Sequence, residues 1–183
     1  IKEHPVLITE PLLNPYSNRE KIASDLFDNL GVPALFFASQ PILSMFSTSK
    51  TSGTVLESGE GVTQSCVVYE GFSIPSSYER YDYGGEDVTN FLKLLLLRKG
   101  YSFTNSTDLR ILNEIKENYC YCSINNEKAK RKELEVEYVL PDGNSIILNE
   151  EKEIATEILF APLLMGKEFL SLQAMIKNSL DKL

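Results

Sequence analysis

Gly53-Thr54-Val55-Leu56-Glu57-Ser58-Gly59-Glu60-Gly61-Val62-Thr63-Gln64-Ser65-Cys66-Val67-Val68-Tyr69 is the stretch on which the fold turns. Apolar and β-branched residues on either side of a short acidic segment with two glycines predict two strands joined by a tight turn. In such a turn the glycines can bring backbone N–H groups close to an anion. Ser58 offers a hydroxyl, and the carboxylates of Glu57 and Glu60 suit a hydrated Mg2+. Phosphate with magnesium is the chemistry this loop fits, although glycine-bearing acidic hairpins are usually only turns.

Working outward, residues 5–9 (PVLIT) and 32–38 (VPALFFA) read as buried strands. Between them Ser17-Asn18-Arg19-Glu20 has the pattern of a capping box, with a helix expected to about Asn29 and a stop at Gly31. Gln40-Pro41 opens a short helix through Met45, proline being tolerated in a first turn. Strand, helix, strand, helix predicts a parallel or mixed sheet with helices on its faces. After the hairpin come a strand through Phe72 and Ile74, an apolar helix over 88–99 ended by Gly100, and a helix capped by Ser106 or Thr107 with the stripe Leu109, Leu112, Ile115 and Tyr119. A hairpin about Pro141-Asp142-Gly143 follows. Then come an acidic stretch over 150–157, a helical Ile158-Leu159-Phe160, and a final amphipathic helix over 169–180.

Composition narrows the function. The 183 residues are 43% hydrophobic and 24% charged, an ordinary globular profile, and 26 acidic against 18 basic residues give a net charge of −8. That balance disfavours a phosphodiester partner. The basic cluster Lys128, Lys130, Arg131 and Lys132 is flanked by Glu127, Glu133, Glu135 and Glu137 and reads as a solvated, salt-bridged segment. No apolar run approaches the roughly 18 residues that cross a bilayer, so no membrane partner is expected. Cys66, Cys120 and Cys122 have no disulfide or metal-ligand spacing and read as reduced thiols of a cytoplasmic or nuclear protein, Cys120 and Cys122 being core and flank residues. The single histidine, His4, removes His-centred triads and leaves the chemistry to carboxylates, amides and backbone.

Three further features could carry a ligand. Asn113, Lys116 and Glu117 share one helix face and could hold a ribose and a base edge, or simply form a solvated face. Gly84-Gly85 precede a helix N-terminus, which favours negative charge, or form a plain entry turn. Gln40, at a strand-to-helix junction, could orient a water or be a routine polar cap.

In order along the chain these pieces resemble the actin family. The segments that carry the likeness are His4-Pro5-Val6-Leu7-Ile8-Thr9-Glu10-Pro11, Leu13-Asn14-Pro15, Asn18-Arg19-Glu20-Lys21, Val32-Pro33-Ala34 and the hairpin from Gly53 to Thr63. It continues through Tyr69-Glu70-Gly71-Phe72-Ser73-Ile74-Pro75, Gly85-Glu86-Asp87-Val88-Thr89, Arg98-Lys99-Gly100-Tyr101-Ser102-Phe103, Ile115-Lys116-Glu117 with Cys120-Tyr121, and Leu140-Pro141-Asp142-Gly143. The resemblance implies an α/β, ribonuclease-H-like actin ATPase fold, here partial: a mixed sheet with flanking helices plus an α+β insertion subdomain. It implies ATP or ADP with Mg2+ or Ca2+ in a cleft between two lobes. Gly59, Glu60, Gly61 and Val62 would approach the phosphates, Gly85 the nucleotide, Asn113, Lys116 and Glu117 the ribose and base, and Gln40 the attacking water. Glu57 and Glu60 would hold the metal through water.

The likeness covers about the middle half of an actin. It implies that residues 1–48 are the later part of subdomain 1, 49–83 the first part of subdomain 3, 84–166 subdomain 4, and 167–183 a return to subdomain 3. Edges exposed by truncation would then favour aggregation or dimers. Glu57 and Glu60 replace the family's aspartates, Gln64 a histidine that orients the water, and Asn113 an arginine, so weak or absent turnover is expected even in a longer parent. The segment after Gly166 is shorter and more apolar than the family's interstrand plug, a departure from ordinary filament contacts. Two functions follow from the resemblance. One is an ATP-binding cytoskeletal protein, partnered by like protomers and actin-binding proteins, whose nucleotide state shapes assembly. The other is a non-hydrolysing actin-related subunit of a nuclear, chromatin or motor-adaptor complex.

Overall fold

The computed structural model describes residues 2–123 and 135–183. The basic cluster at 128–132 lies outside the described residues. The chain divides into two compact units: residues 1–58, 62–82 and 173–183 form the first, and Gly59–Gly61 with Tyr83–Leu172 the second.

In the first unit, β1 (Val6–Glu10) and β2 (Leu35–Ser39) pair in parallel across the helix α1 (Tyr16–Ser24) and a π-helical turn (Asp25–Asn29). The helix is entered from Pro15, whose φ of −56° already suits it, so Ser17 lies inside the first turn and the expected Ser17–Glu20 capping box does not form. Gly31, at φ +65°, ends the turn as expected. The second strand begins later than its apolar run: Pro33 has no N–H to give a ladder, and Val32 donates back to Leu26 O.

α2 (Gln40–Ser47) leads to the hairpin β3 (Gly53–Ser58) and β4 (Thr63–Tyr69). β4 is central, paired along one edge with β3 and along the other with β6 (Glu79–Tyr81) at its start and β5 (Phe72–Ser73) at its end, all antiparallel. The parallel and antiparallel pairings fall in separate sheets among the described residues: β1–β2 meets the parallel alternative of the expected parallel or mixed sheet, and no sheet there mixes the two directions. Residues 63–68 of β4 are all buried, with Cys66 and Val68 packed against Leu12 and Met45. Their polar members are satisfied: Ser65 accepts from Ser179 of α6 (Leu172–Asp181) at 3.0 Å, and the Thr63 and Ser58 hydroxyls lie 2.9 Å apart.

The second unit centres on α3 (Gly85–Arg98), α4 (Ser106–Tyr119), the hairpin β7 (Val136–Val139) with β8 (Ser145–Leu148), and α5 (Glu151–Glu157). Their shared core includes Leu92, Leu96, Leu112, Ile115, Leu148 and Ile158. Asn105, one residue ahead of the expected caps, begins α4; Asp108 accepts the N–H groups of Asn105 and Thr104 at 2.9 and 2.6 Å, which lower its pKa. The acidic stretch, for which the sequence reading named no element, is helical, and Ile158–Phe160, expected to be helical, is a turn. Burial of Glu151 is made tolerable by Lys99 at 2.7 Å and the Asn149 N–H at 2.8 Å. The last helix starts at Leu172, not 169, because Phe169 stacks on Tyr83 and Leu170 O accepts the Tyr83 hydroxyl at 2.9 Å. Cys66 is buried, Cys120 half-buried and Cys122 exposed; burial pushes the Cys66 and Cys120 thiols up to about 11.

Glu10 anchors the loop between β1 and α1. Burial works against its charge, but hydrogen bonds from Arg19 (Nε at 2.7 Å) and Asn14 (3.0 Å), with the guanidinium charge, outweigh it and hold the carboxyl below its ordinary range. With a lowered folded pKa, this contribution is complete above the ordinary carboxylate value and is lost as pH falls through the folded one. Glu10→Gln is therefore expected to lower stability by about 2 kcal/mol at pH 7, the gap to the parent closing toward pH 3; urea midpoints at the two pH values measure it.

Candidate functional site

The residues singled out by sequence fall into two clusters, one in each unit. In the first unit, Glu57 and Gln64 are cross-strand partners on β3 and β4. Gln64 is buried and its amide is fully used. Its Oε1 accepts the Leu12 N–H at 2.7 Å, and its Nε2 donates to Glu57 Oε2 at 2.7 Å and Gln40 Oε1 at 3.2 Å. These partners fix which end of each amide is oxygen, because the Leu12 N–H can only donate and a carboxylate only accept. Ser44, one helical turn after Gln40 on α2, donates its hydroxyl to the other Glu57 oxygen. Sequence reading missed Ser44, although its i+4 spacing from Gln40 carried the signal. The Glu57 charge also adds to the burial that keeps Cys66 a neutral thiol.

In the second unit the turn Gly59–Gly61 meets the start of α3. Gly85 N donates to Gly59 O at 2.9 Å and Glu86 N to Glu60 O at 2.8 Å, so the turn's carbonyls satisfy the first amides of the helix. The foremost N–H groups of the Gly84-Gly85 helix entry are therefore already taken, and what approaches it closely is the turn. Lys116 of α4 reaches Gly85 O at 3.1 Å and Glu60 Oε2 at 3.5 Å, with only 15% of its side chain exposed. Thr89 Oγ1 lies 2.7 Å from Asn113 Oδ1 and 3.1 Å from Gly85 O, its single hydroxyl proton shared between the two acceptors. Thr89 is a supporting residue that sequence reading missed, four positions after Gly85. Lys167 pairs with Asp87 at 2.7 Å, and Asp87 accepts the Gly84 N–H at 3.0 Å.

Gly59, Glu60, Gly85, Asn113 and Lys116 are thus one connected group, Glu117 is exposed on α4, and Val62 is half-buried in the first unit. A Cβ on Gly61 would meet nothing within 4 Å, so the space beside the turn is open. No group of three or more His, Cys, Asp or Glu among the described residues could hold a bare ion. Nor is any helix among them long and apolar enough to cross a membrane.

The family model described as Actin matches residues 1–183 of the chain.

The two glycines at the α3 entry are needed for different reasons. Gly84 has an extended φ of 179°, so space decides: an added Cβ would lie 2.3 Å from Gly59 O and 2.8 Å from Glu60 O, both backbone. At Gly85 the closest atom, at 2.7 Å, is Glu60 Oε2, the free end of a flexible side chain. Gly84→Ala is expected to lower stability by about 3 kcal/mol or more and Gly85→Ala by about 1 kcal/mol. Thermal unfolding that ranks them the other way would refute this account of the turn.

Proposed function

Because the chain belongs to the actin family, we propose that it is an ATP-binding cytoskeletal protein whose nucleotide state shapes assembly into filaments or complexes. The observation that carries this reading is the direction of two peptides. Gly59 O and Glu60 O point at α3, and since trans peptides are planar, the N–H groups of Glu60 and Gly61 point the opposite way. Two neighbouring amides aimed away from the helix, next to open space at Gly61, suit phosphate oxygens.

In this reading Gly59, Glu60, Gly61 and Val62 approach the phosphates, while Asn113, Lys116 and Glu117 present an amide, a cation and a carboxylate to ribose and base. Gly85 approaches the nucleotide, and Gly84 lets the turn close onto α3. Family members generally bind nucleotide with a divalent cation, and the residues here fit such an ion only through water. Both Glu57 oxygens already accept hydrogen bonds, whereas the Glu60 side chain is 64% exposed. Mg2+ readily keeps several waters. Residues 84–166 would form subdomain 4, 1–48 the later part of subdomain 1, and 49–83 with 167–183 parts of subdomain 3.

Assembly is supported by an exposed apolar patch. Tyr69 and Phe72 face one another in the β4–β5 register, 61% and 78% exposed, and Phe46 lies against Gly71 beside them. Like protomers are the partners proposed for it, in the cytoplasm. The second reading, a non-hydrolysing actin-related subunit, is favoured by the engagement of Gln64 with both Gln40 and Glu57. Nucleotide-dependent pelleting supports the first reading; a stable soluble hetero-complex supports the second.

Titration of Mg-ATP into protein containing this chain tests the core of the proposal, with a dissociation constant of about 10 μM or below expected. Lys116→Met should weaken binding at least about tenfold through loss of the cation. Absence of saturable binding by the unsubstituted protein would sink the proposal.

A further inference from the structure

We propose that the exposed face of α3, together with the start of α4, is a docking surface for an acidic amphipathic helix of a partner protein. The surface lies wholly within the second unit and does not depend on the nucleotide reading.

Three contacts fix how the two helices run. Lys116 Nζ reaches Gly85 O at 3.1 Å, Thr89 Oγ1 lies 2.7 Å from Asn113 Oδ1, and the Lys93 charge acts on Asp108. Positions 85, 89 and 93 therefore advance along α3 as 116, 113 and 108 step back along α4, and the pair is antiparallel. Leu92 and Leu96 of α3, with Leu112 and Ile115 of α4, turn to the core. Away from it, Leu94 and Leu97 of α3 are 52% and 53% exposed, and Leu109, next to Asp108 on α4, is 42% exposed. Residues three or four apart on a helix share a face, so Leu94 and Leu97 stand side by side and Lys93 lies one turn before Leu97. The three leucines gather about Lys93, whose methylene stem extends the apolar surface. Clustered exposed leucines of this kind mark a contact surface.

The same surface is basic. Arg98 follows Leu97, Arg110 follows Leu109, and both are exposed. No ion pair among the described residues engages either arginine. The neighbouring acids are Asp108, whose carboxylate is committed to the Thr104 and Asn105 N–H groups, and Glu114, a turn beyond Arg110. On a chain of net charge −8 this is a local reversal of sign. Carboxylates flanking an apolar stripe complement it, each guanidinium offering a fork of N–H donors. A pair of antiparallel helices seats a third by its i, i+3 and i+4 side chains, and Leu94 and Leu97 have the matching spacing. Charge also argues against two other occupants. A second copy docked about a two-fold axis would set the patch against itself, cation facing cation. An anionic bilayer would attract the three cations and repel the rest of an acidic chain.

The probe is a synthetic helical peptide with leucines along one face and glutamates on either side of them, compared with the same peptide carrying lysines for the glutamates. Fluorescence anisotropy with protein containing this chain, at low salt, is expected to give a dissociation constant of about 100 μM or below for the acidic peptide. The basic peptide should bind at least about tenfold more weakly. Arg98→Glu with Arg110→Glu should invert that preference, and Leu94→Gln with Leu97→Gln should weaken the acidic peptide at least about fivefold. All four side chains are exposed, so thermal unfolding of the variants should stay cooperative; if the leucine pair fails to fold, the arginine pair decides alone. No saturable binding of the acidic peptide, or binding that the arginine reversal leaves unchanged, would overturn the proposal. Equal binding of both peptides would reduce the surface to apolar adhesion and overturn it too. So would a dimer that Leu94→Gln dissolves in sedimentation, or cosedimentation with phosphatidylserine vesicles that the arginine reversal abolishes, since each assigns the patch a different occupant.

Discussion

Two backbone hydrogen bonds organise the second unit's cluster: Gly85 N to Gly59 O and Glu86 N to Glu60 O. A helix starts with four unpaired amides, and here a turn, not a side chain, supplies acceptors for the foremost of them. The rest follows from that docking. Gly84 must lack a Cβ because turn oxygens occupy its place, whereas a Cβ at Gly85 would meet the movable ends of Glu60 and Lys116. The same bonds rotate the turn's peptides so that their N–H groups face outward. Lys116 then has a carbonyl and a carboxylate to bridge, which is why a lysine so little exposed keeps two oxygen partners.

β4 solves the opposite problem in the first unit, that of polar side chains in a buried strand. Thr63, Gln64 and Ser65 are each almost fully enclosed. An unpaired buried amide or hydroxyl costs about 1–3 kcal/mol, so such a strand is stable only if partners are in place. Thr63 has Ser58, Ser65 has Ser179, and Gln64 has Leu12, Gln40 and Glu57. Gln64 thereby ties three segments of the chain to one strand, 52 positions from Leu12 and 24 from Gln40. A group with that many obligations holds its neighbours still, whatever else it does.

Sequence periodicity gave most elements and the two hairpins, but not how the strands group into sheets. The strands at 6–10 and 35–39, the acidic hairpin and the long apolar helix lie within a few residues of their reading, because each is set by local alternation, a proline or a glycine. The grouping into separate sheets among the described residues was not legible, because strand patterns do not say which edge meets which. The acidic stretch that forms α5 was given no element, because its buried charges are satisfied from elsewhere: Lys99 lies 52 positions before Glu151. In the site, the grouping of Glu60, Gly85 and Lys116 rested on a family resemblance, since no local pattern links residues 56 positions apart. The acceptor role of the turn toward α3 was invisible, because carbonyl direction leaves no mark on side-chain order.

The two acids of the turn have separate duties, and the difference is one of geometry. Glu57 faces inward along the β3–β4 register, and its oxygens are taken by Ser44 and Gln64. Glu60, at the turn itself, has solvent on most of its surface and Lys116 at 3.5 Å. One exposed carboxylate beside a cation is a weak ion site by itself, for Mg2+ dehydrates reluctantly and needs several oxygens. Phosphate oxygens on the outward-facing amides would supply what the chain lacks. On the proposed reading, the cation therefore arrives with the nucleotide, and its affinity is set by the phosphates more than by the protein.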